Sequence, residues 1–355
     1  MTLAPPEFRR FLDRTVAAKG RAGVLGVVAI EEFAVAWTAS AGAADDAVFQ
    51  AGSLSKSVTS AVALELVRRG ELELDADLGE RLVSWRLPAA GSVTLRELLG
   101  HTAGANVPFY PGYPQGEPVP TVTQSLDGVE PAKTATVVVD PGKAGRFRYS
   151  GGGFTIVQQL IEDVTGTPFA DVAREVVLEP LGMTASTFAQ PPPEPLRAAA
   201  AQPGWNLYPE CAAAGLWTTP ADLARFVCAL LAARADRGGG LARETAAAMT
   251  APHARVPVRG QWIVLALLGL EHPPDTGLGL FLNGPRFLNL GGARKGFSVL
   301  TGSSEDGTGA VVMTAGFRPP FALEILFELS DVMGWTGLRA PRGRRTSGLL
   351  LRALS

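Results

Sequence analysis

The spacing of apolar residues divides the chain into strand-like and helix-like segments. Residues 23–30 and 32–38 are two apolar runs separated by a short break, which predicts two strands joined by a short turn. Further strands are predicted late in the chain, at residues 262–268, 287–290, 296–300 and 309–314. If the late strands pair with the early ones, the result is an antiparallel sheet.

Around and between these strands, apolar residues recur at helical spacing. Val58, Val62 and Leu66 share one face of a helix over residues 53–69, and Gly70 is a typical helix end. Helices are predicted at residues 8–18, 53–69, 94–99, 154–165, 168–177, 220–234 and 321–332. The chain is therefore expected to be rich in helices between its two groups of strands.

One segment fits neither pattern. Residues 105–145 are rich in proline, glycine and aromatic residues, and we interpret them as a long loop that forms a pocket wall. The whole plan predicts an α/β (α+β) fold, in which helices flank an antiparallel sheet and a mostly helical lobe is inserted. We expect a single two-lobed domain over residues 1–355, with a sheet lobe at about 1–75 and 255–340, a helical lobe at about 76–254 and a basic tail at 341–355.

Composition and charge exclude several classes of protein. The 355 residues are 46% hydrophobic and 19% charged, which is typical of a globular protein with a large core. A net charge of −2 offers no basic surface for nucleic acid. No apolar stretch reaches the ~20 residues that cross a bilayer, and the start of the chain lacks the layout of a secretory signal. We expect a soluble, cytoplasmic protein with neither nucleic acid nor a membrane as partner.

The cysteines and histidines form no metal-binding pattern. Cys211 and Cys228 are interpreted as buried free thiols. His101, His253 and His272 are scattered along the chain. We therefore expect no metal ion.

Ser53 and Lys56 form an S-x-x-K pattern at the predicted start of a helix. Residues three apart lie on the same helix face, so the lysine amine can reach the serine hydroxyl. A serine becomes nucleophilic when a base removes its proton, and a lysine can be that base if its pKa is lowered. The alternative is a serine N-cap beside a solvated lysine. Phe49 and Gly52 favour catalysis, because a strand-like approach and a glycine hinge can present the serine at a cleft.

Further motifs follow the first in a fixed order. They are Ser53-x-x-Lys56, Leu98-Leu-Gly-His-Thr-Ala-Gly104, Tyr149-Ser-Gly151, Leu178-Glu-Pro-Leu-Gly-Met183 and Ala213-Ala-Gly-Leu-Trp-Thr-Thr-Pro-Ala-Asp-Leu-Ala224. Together they resemble the class C β-lactamase / penicillin-binding-protein-like serine hydrolase family, which includes family VIII esterases, D-aminopeptidases and cytoplasmic acyltransferases. The resemblance covers about residues 20–330 and implies a β-lactamase/transpeptidase-like fold with the site between two lobes.

The resemblance implies a catalytic site built on Ser53, Lys56 and Tyr149. The family's second motif is Tyr-x-Asn; here Tyr149 is kept, and Gly151 replaces the asparagine, whose amide helps to hold the substrate and the lysine in relatives. A phenol beside a lysine ammonium ionises more easily, so Tyr149 is expected to act as a base or proton relay. His101 lies in another motif and is expected to make a structural hydrogen bond.

The family's third motif usually begins with a basic residue on the edge strand of the sheet. Its best match here is Leu290-Gly291-Gly292, in which the basic residue is absent, as in the Trp-Gly-Gly version of family VIII esterases. Gly292 would let a substrate acyl group lie flat against the strand. By resemblance, the backbone N–H groups of Ser53 and Ala293 would hold the oxyanion.

Charged and aromatic residues near these motifs complete the predicted site. Arg294 or Lys295 could replace the missing charge, with solvated loop cations as the alternative. Five aromatic residues are candidates for the acyl or leaving-group pocket, with core packing as the alternative: Tyr110, Tyr113, Trp205, Tyr208 and Trp217.

The predicted function is acyl-enzyme chemistry on an ester, thioester or amide of a small metabolite, with esterase-type hydrolysis favoured. No cofactor is expected, because acyl transfer needs only a nucleophile, a base and oxyanion donors. The changes at Gly151 and Leu290 argue against β-lactams that carry a carboxylate. One alternative is a cytoplasmic acyltransferase or amide synthase of specialised metabolism, with an amine or alcohol as acceptor. Another is a binding protein that keeps the cleft without turnover.

Overall fold

The strands of the main sheet come from both ends of the chain. The computed structural model describes residues 3–19, 23–88, 91–201, 204–257, 274–293, 296–317, 320–335 and 338. Its strands are β1 (Val24–Glu31), β2 (Ala34–Ala41), β3 (Phe49–Gln50), β4 (Tyr113–Pro114), β5 (Asn206–Leu207), β6 (Trp217–Thr218), β7 (Ala254–Arg255), β8 (Asp275–Thr276), β9 (Phe281–Asn283), β10 (Arg286–Ala293), β11 (Gly296–Ser303) and β12 (Gly309–Ala315). The predicted strand at 262–268, His272, Arg294, Lys295 and the tail at 341–355 lie outside the described residues.

The first and last strands in chain order, β1 and β12, pair with each other, as expected if the late strands pair with the early ones. Eight strands follow the order β2-β1-β12-β11-β10-β9-β8-β7, and β1 pairs antiparallel with β12, with Val27 opposite Val312. The N-terminal hairpin of β1 and β2 is thereby fixed to the hairpins of the C-terminal part. Strand β10, which carries the third predicted motif, pairs with β11 along its whole length, whereas β9 pairs only with Arg286–Leu288. Among the described residues, the motif Leu290-Gly291-Gly292 therefore has a strand on one side only, as expected for the edge of a sheet.

The sheet is buried on both of its faces. Along β1, Leu25, Val27 and Ala29 face one hydrophobic cluster, whereas Val28 and Ile30 face another. This alternation follows from the two-residue period of a strand. The chain therefore forms three layers, with helices on each side of one sheet.

The helices of the described residues agree with most of the predicted positions. They are α1 (Pro6–Lys19), α2 (Ser55–Arg68), α3 (Leu95–Leu99), α4 (Val122–Asp127), α5 (Gly151–Thr165), α6 (Phe169–Ala173), α7 (Glu194–Ala198), α8 (Cys211–Ala214), α9 (Pro220–Arg234), α10 (Arg243–Thr250) and α11 (Pro320–Met333). Helices α1 and α11 cover one face of the sheet, and α9 covers the other. Thr219 accepts a hydrogen bond from the Asp222 N–H and caps α9, with Pro220 at its first position.

The interpretation of residues 105–145 as one long loop is wrong. Helix α4 lies within this segment because Thr121 and Gln124 form a capping box that satisfies its first N–H groups. Helices α7, α8 and α10 were also not predicted. They are short, and α8 and α10 each contain a run of three alanines, so no apolar spacing distinguishes them. Among the described residues, no helix combines the length and the apolar character needed to span a bilayer.

Candidate active site

Ser53 lies in a turn that differs slightly from the predicted helix start. Gly52–Leu54 form one 3₁₀ turn, and the α-helix begins only at Ser55, so Ser53 does not act as an N-cap. The Ser55 hydroxyl donates to the Gly52 carbonyl at 2.6 Å and accepts from the Leu216 N–H at 3.0 Å. Ser53 is therefore presented from a turn that is tied to its own helix and to the segment before β6.

The Lys56 amine lies beside the Ser53 hydroxyl. Its Nζ is 3.3 Å from Ser53 Oγ and donates to the Ala213 carbonyl at 2.7 Å. Lys56 is only 2% exposed, and this burial lowers its pKa to about 7. The solvated-lysine alternative does not fit this environment, and a large fraction of the amine is uncharged at neutral pH.

Tyr149, two residues before the start of α5, lies beside both Ser53 and Lys56. The Lys56 Nζ lies 5.1 Å from the centroid of its ring, and its hydroxyl shares a hydrogen bond with Ser53. Burial raises the pKa of Tyr149 to about 12, although the bond to Ser53 opposes the rise. The expected ease of ionisation is therefore not found. The phenol remains protonated at neutral pH, which suits a relay better than a base.

Strand β10 passes very close to the turn that carries Ser53. A Cβ on Gly291 would lie 2.1 Å from the Ala51 carbonyl oxygen, and a Cβ on Gly52 would lie 2.3 Å from the Gly292 carbonyl oxygen. Only glycine allows this approach, and Gly52 also has a positive φ of 55°. Leu290 and Ala293 lie on the same strand, and Ala293 pairs with Gly296 at the hairpin end. The structure thus places the third motif beside Ser53.

The position of the missing asparagine is closed by an aromatic ring. Gly151 starts α5, and a Cβ on it would lie 3.1 Å from both Tyr110 Cε2 and the Pro108 carbonyl oxygen. The Tyr110 hydroxyl accepts a hydrogen bond of 2.8 Å from Thr155 Oγ1, which fixes the ring. Tyr110 therefore occupies the space into which a side chain at residue 151 would extend.

Of the other aromatic candidates, Tyr113, Tyr208 and Trp217 are buried, whereas Trp205 is half-buried. Tyr113 is 1% exposed and its hydroxyl accepts from the Lys133 N–H, which favours the core-packing alternative. Trp217 is also 1% exposed and packs edge-on against Trp205. Both tryptophans line a small cavity that also contacts Ala293, so their position beside the substrate remains a prediction.

Sequence reasoning missed two parts of the site. The Ala213 carbonyl, which accepts from Lys56, belongs to a backbone position, and no side-chain pattern could have indicated it. Phe109 is 51% exposed, and its ring centroid lies 5.5 Å from that of Tyr149. Its place in the aromatic segment 109–113 was the only available signal.

The two cysteines lie as free thiols. Cys211 is buried, whereas Cys228 is only partly buried.

Known proteins are similar to this chain in sequence. A family model described as Beta-lactamase matches residues 8–330. Penicillin-binding protein 4 of Amycolatopsis lactamdurans is 28% identical over 199 residues, which are 51% of this chain and 50% of that protein. Esterase EstB of Burkholderia gladioli is 29% identical over 168 residues, which are 42% of this chain and 41% of that protein. The chain thus matches about half the length of these relatives or less.

The fold is also that of a known group of structures. The octameric penicillin-binding protein homologue from Pyrococcus abyssi has a TM-score of 0.72 at 20% identity, covering 94% of this chain and 78% of that one. At this identity the likeness shows the fold alone. It confirms the predicted β-lactamase/transpeptidase-like arrangement of an antiparallel sheet with helices.

Proposed function

Because the chain belongs to the Beta-lactamase family, whose members include serine hydrolases, we propose that it forms an acyl-enzyme on Ser53 and hydrolyses esters. The observation that carries the proposal is the 3.3 Å contact between Ser53 Oγ and the buried Lys56 amine. Because burial lowers the pKa of Lys56 to about 7, the amine can be an uncharged base near neutral pH. Esterase EstB, a matched relative, supports ester chemistry by its name.

The first half of the proposed reaction makes the acyl-enzyme. Uncharged Lys56 takes the proton of Ser53 while Ser53 Oγ bonds to the ester carbonyl carbon. The backbone N–H groups of Ser53 and Ala293 hold the oxyanion that develops. The intermediate collapses, the bond to the leaving alcohol breaks, and the alcohol receives the proton through the Tyr149 hydroxyl.

The second half releases the acid. Water gives a proton to the same base and attacks the acyl carbonyl. The bond to Ser53 Oγ breaks, and the serine recovers a proton, so the enzyme returns to its starting state. Each step uses only groups of this chain and water, and none needs a metal or cofactor.

Two features support neutral esters over β-lactams. Leu290 stands where relatives carry a basic residue, and Tyr110 fills the space beside Gly151 where relatives carry an amide. The Leu290 side chain cannot form an ion pair with a carboxylate, and Gly151 has no side-chain amide that could donate to a lactam side chain. The exposed ring of Phe109 adds an apolar surface next to Tyr149.

Acyl transfer remains a second candidate. The same acyl-enzyme could be released by an amine or alcohol acceptor, and the exposed Phe109 ring beside Tyr149 offers an apolar contact for such an acceptor. Products formed from p-nitrophenyl butyrate with and without added amines or alcohols separate the two candidates. If the protein hydrolyses the ester, butyrate should be the only acyl product. If it transfers the acyl group, the amide or the new ester of butyrate should form as well.

Covalent labelling tests the proposal as a whole. We expect a fluorophosphonate to add one adduct, located at Ser53 by intact-mass and peptide mass spectrometry. Ser53→Ala should remove the adduct, whereas Ser304→Ala, which changes a half-buried serine in the turn between β11 and β12, should keep it. A wild-type chain with no adduct and no ester turnover would instead support a binding protein with an unused cleft.

A further inference from the structure

His101, whose ring packs against that of Tyr149, adopts an unusual backbone conformation. It follows the end of α3 with a positive φ of 59°, which few residues other than glycine adopt. The side chain is buried. A strained, buried polar residue beside a candidate catalytic group calls for an explanation in terms of its contacts.

Three contacts join His101 to Tyr149 and its neighbours in the chain. The His101 carbonyl accepts the Arg148 N–H at 2.8 Å, and His101 Nδ1 accepts the Ser150 N–H at 3.2 Å. The His101 ring packs on the Tyr149 ring with centroids 4.5 Å apart. One residue thus binds the peptide groups on both sides of Tyr149 and supports its ring.

The imidazole has the charge state that this arrangement needs. Burial and the nearby Lys56 lower the pKa of His101 well below its ordinary value, so the ring is neutral at neutral pH. A neutral ring that accepts at Nδ1 carries its proton on Nε2. Among the described residues, no hydrogen bond joins His101 to Ser53 or Lys56, so its hydrogen bonds reach the site only through the neighbours of Tyr149.

We propose that His101 is a positioning residue, which holds the Tyr149 hydroxyl in place to protonate the leaving group. The inference rests on the proposed function, since it assigns a task to the Tyr149 proton. Phe109 also packs on Tyr149, with ring centroids 5.5 Å apart, so the tyrosine ring contacts two aromatic side chains. Of these two, His101 also binds the backbone on both sides of Tyr149.

Two esters of one acid separate positioning from general support of the fold. In p-nitrophenyl butyrate the leaving group departs without a proton, whereas the benzyl alkoxide of benzyl butyrate needs one. We expect His101→Ala to lower kcat/KM for the benzyl ester by about 10-fold or more and for the p-nitrophenyl ester by only a few-fold. Equal losses for the two esters would overturn the proposal.

A double-mutant cycle tests whether His101 acts through Tyr149. In a Tyr149→Phe background, His101→Ala should cause little additional loss with the benzyl ester, because the proton donor is already absent. A full additional loss would show an independent structural role and overturn the inference. If Tyr149→Phe turns over both esters at the wild-type rate, the inference fails, while labelling at Ser53 still tests the proposed function separately.

If the double variant is too slow to measure, substitutions that keep part of the His101 side chain's contacts test the proposal instead. His101→Asn retains an acceptor and tolerates positive φ, and His101→Phe retains a ring. Each should recover part of the benzyl-ester rate lost in His101→Ala.

His253→Ala is the matched control, because it removes a 2.8 Å contact to Thr102 in the same loop without touching Tyr149. It should lower Tm but keep the ratio of the two ester rates; a changed ratio, or no recovery in either partial variant, would contradict the proposal.

Discussion

The Lys56 amine owes its chemistry to what surrounds it and not to its neighbours in sequence. The desolvation that lowers its pKa comes from α5, α8 and the aromatic rings near them, including Phe154, whose ring centroid lies 5.6 Å from Nζ. The Ala213 carbonyl provides one neutral acceptor. A buried amine without a carboxylate partner is poorly stabilised as an ammonium, which is the condition for a lysine base.

The pH dependence of acylation follows from this environment. Ser53 labelling by a fluorophosphonate should rise with pH and reach half of its maximum near pH 7, because only uncharged Lys56 accepts the serine proton. Lys56→Arg keeps a cation that stays protonated and should slow labelling by ~10²-fold or more. A half-maximum near pH 10, or a loss of only a few-fold in Lys56→Arg, would assign the base to another group.

The same lowered pKa makes a prediction about stability. The folded-state pKa of Lys56 lies below its unfolded value of 10.5, so the unfolded chain binds the additional proton between about pH 7 and 10.5. The contribution of Lys56 to the free energy of unfolding therefore rises with pH across this window. Lys56→Met should raise Tm most below pH 7, and the gain should shrink towards pH 10. Calorimetry at several pH values measures it; a gain independent of pH would contradict the buried, uncharged amine.

At the scale of elements, two backbones meet without side chains between them. Strand β10 and the 3₁₀ turn before α2 approach each other through Gly52, Gly291 and Gly292. This contact sets the distance between the nucleophile and the strand that is proposed to hold the oxyanion. A short helix, α8, similarly delivers the Ala213 carbonyl to Lys56.

The two glycines of β10 form a matched pair for a test of this contact. Gly291→Ala places a methyl group 2.1 Å from the Ala51 carbonyl oxygen, so it should lower the free energy of unfolding by about 1–3 kcal/mol and slow Ser53 labelling. In Gly292→Ala the nearest atom, on Phe297, is 3.9 Å away, so stability should change by less than about 0.5 kcal/mol. Urea unfolding compares the two; similar losses would mean that the strand does not approach the turn as described.

At the scale of the whole molecule, α1 packs into a hydrophobic cluster on the face of the sheet opposite α2, the helix that carries Lys56. Of the site residues, Tyr149 and Leu290 border the cluster that contains α1. Helix α1 lies near the start of the chain, and its Phe8 packs on Trp37 of β2 with ring centroids 5.4 Å apart. Helix α1 also contacts α11. The N-terminal segment therefore stabilises the sheet without contributing a group to the cleft.

This division predicts that stability and acylation can be changed separately. Phe8→Ala should lower the free energy of unfolding by about 3–5 kcal/mol, because it removes a fully buried ring. Phe11→Ala, on the same helix but partly exposed, should cost less. Below the unfolding transition both variants should label Ser53 at the wild-type rate. Slower labelling of the folded variants would show that the two layers are coupled.

The sequence alone determined the main elements and the identity of the candidate groups, because these depend on local information. Apolar periodicity located α9 with its observed bounds and β12 to within one residue, and it located β10 and β11 but ended each of them three residues early. Motif order indicated Ser53, Lys56 and Tyr149 together with the family fold. Short helices such as α4 and α8 were not predicted, because four to six residues are too few to show a helical period of apolar positions.

Only the tertiary structure decided the properties that depend on contacts distant in sequence. The pKa values of Lys56 and Tyr149 follow from burial by segments elsewhere in the chain, and the burial of Tyr149 reversed the expected ease of its ionisation. The closure of the space beside Gly151 by Tyr110 and the contacts of His101 with both neighbours of Tyr149 likewise join segments that are 40 or more residues apart. Desolvation and steric exclusion act through space between residues that are distant in the sequence. A linear pattern of residue types therefore does not show them, and they become visible only in the folded structure.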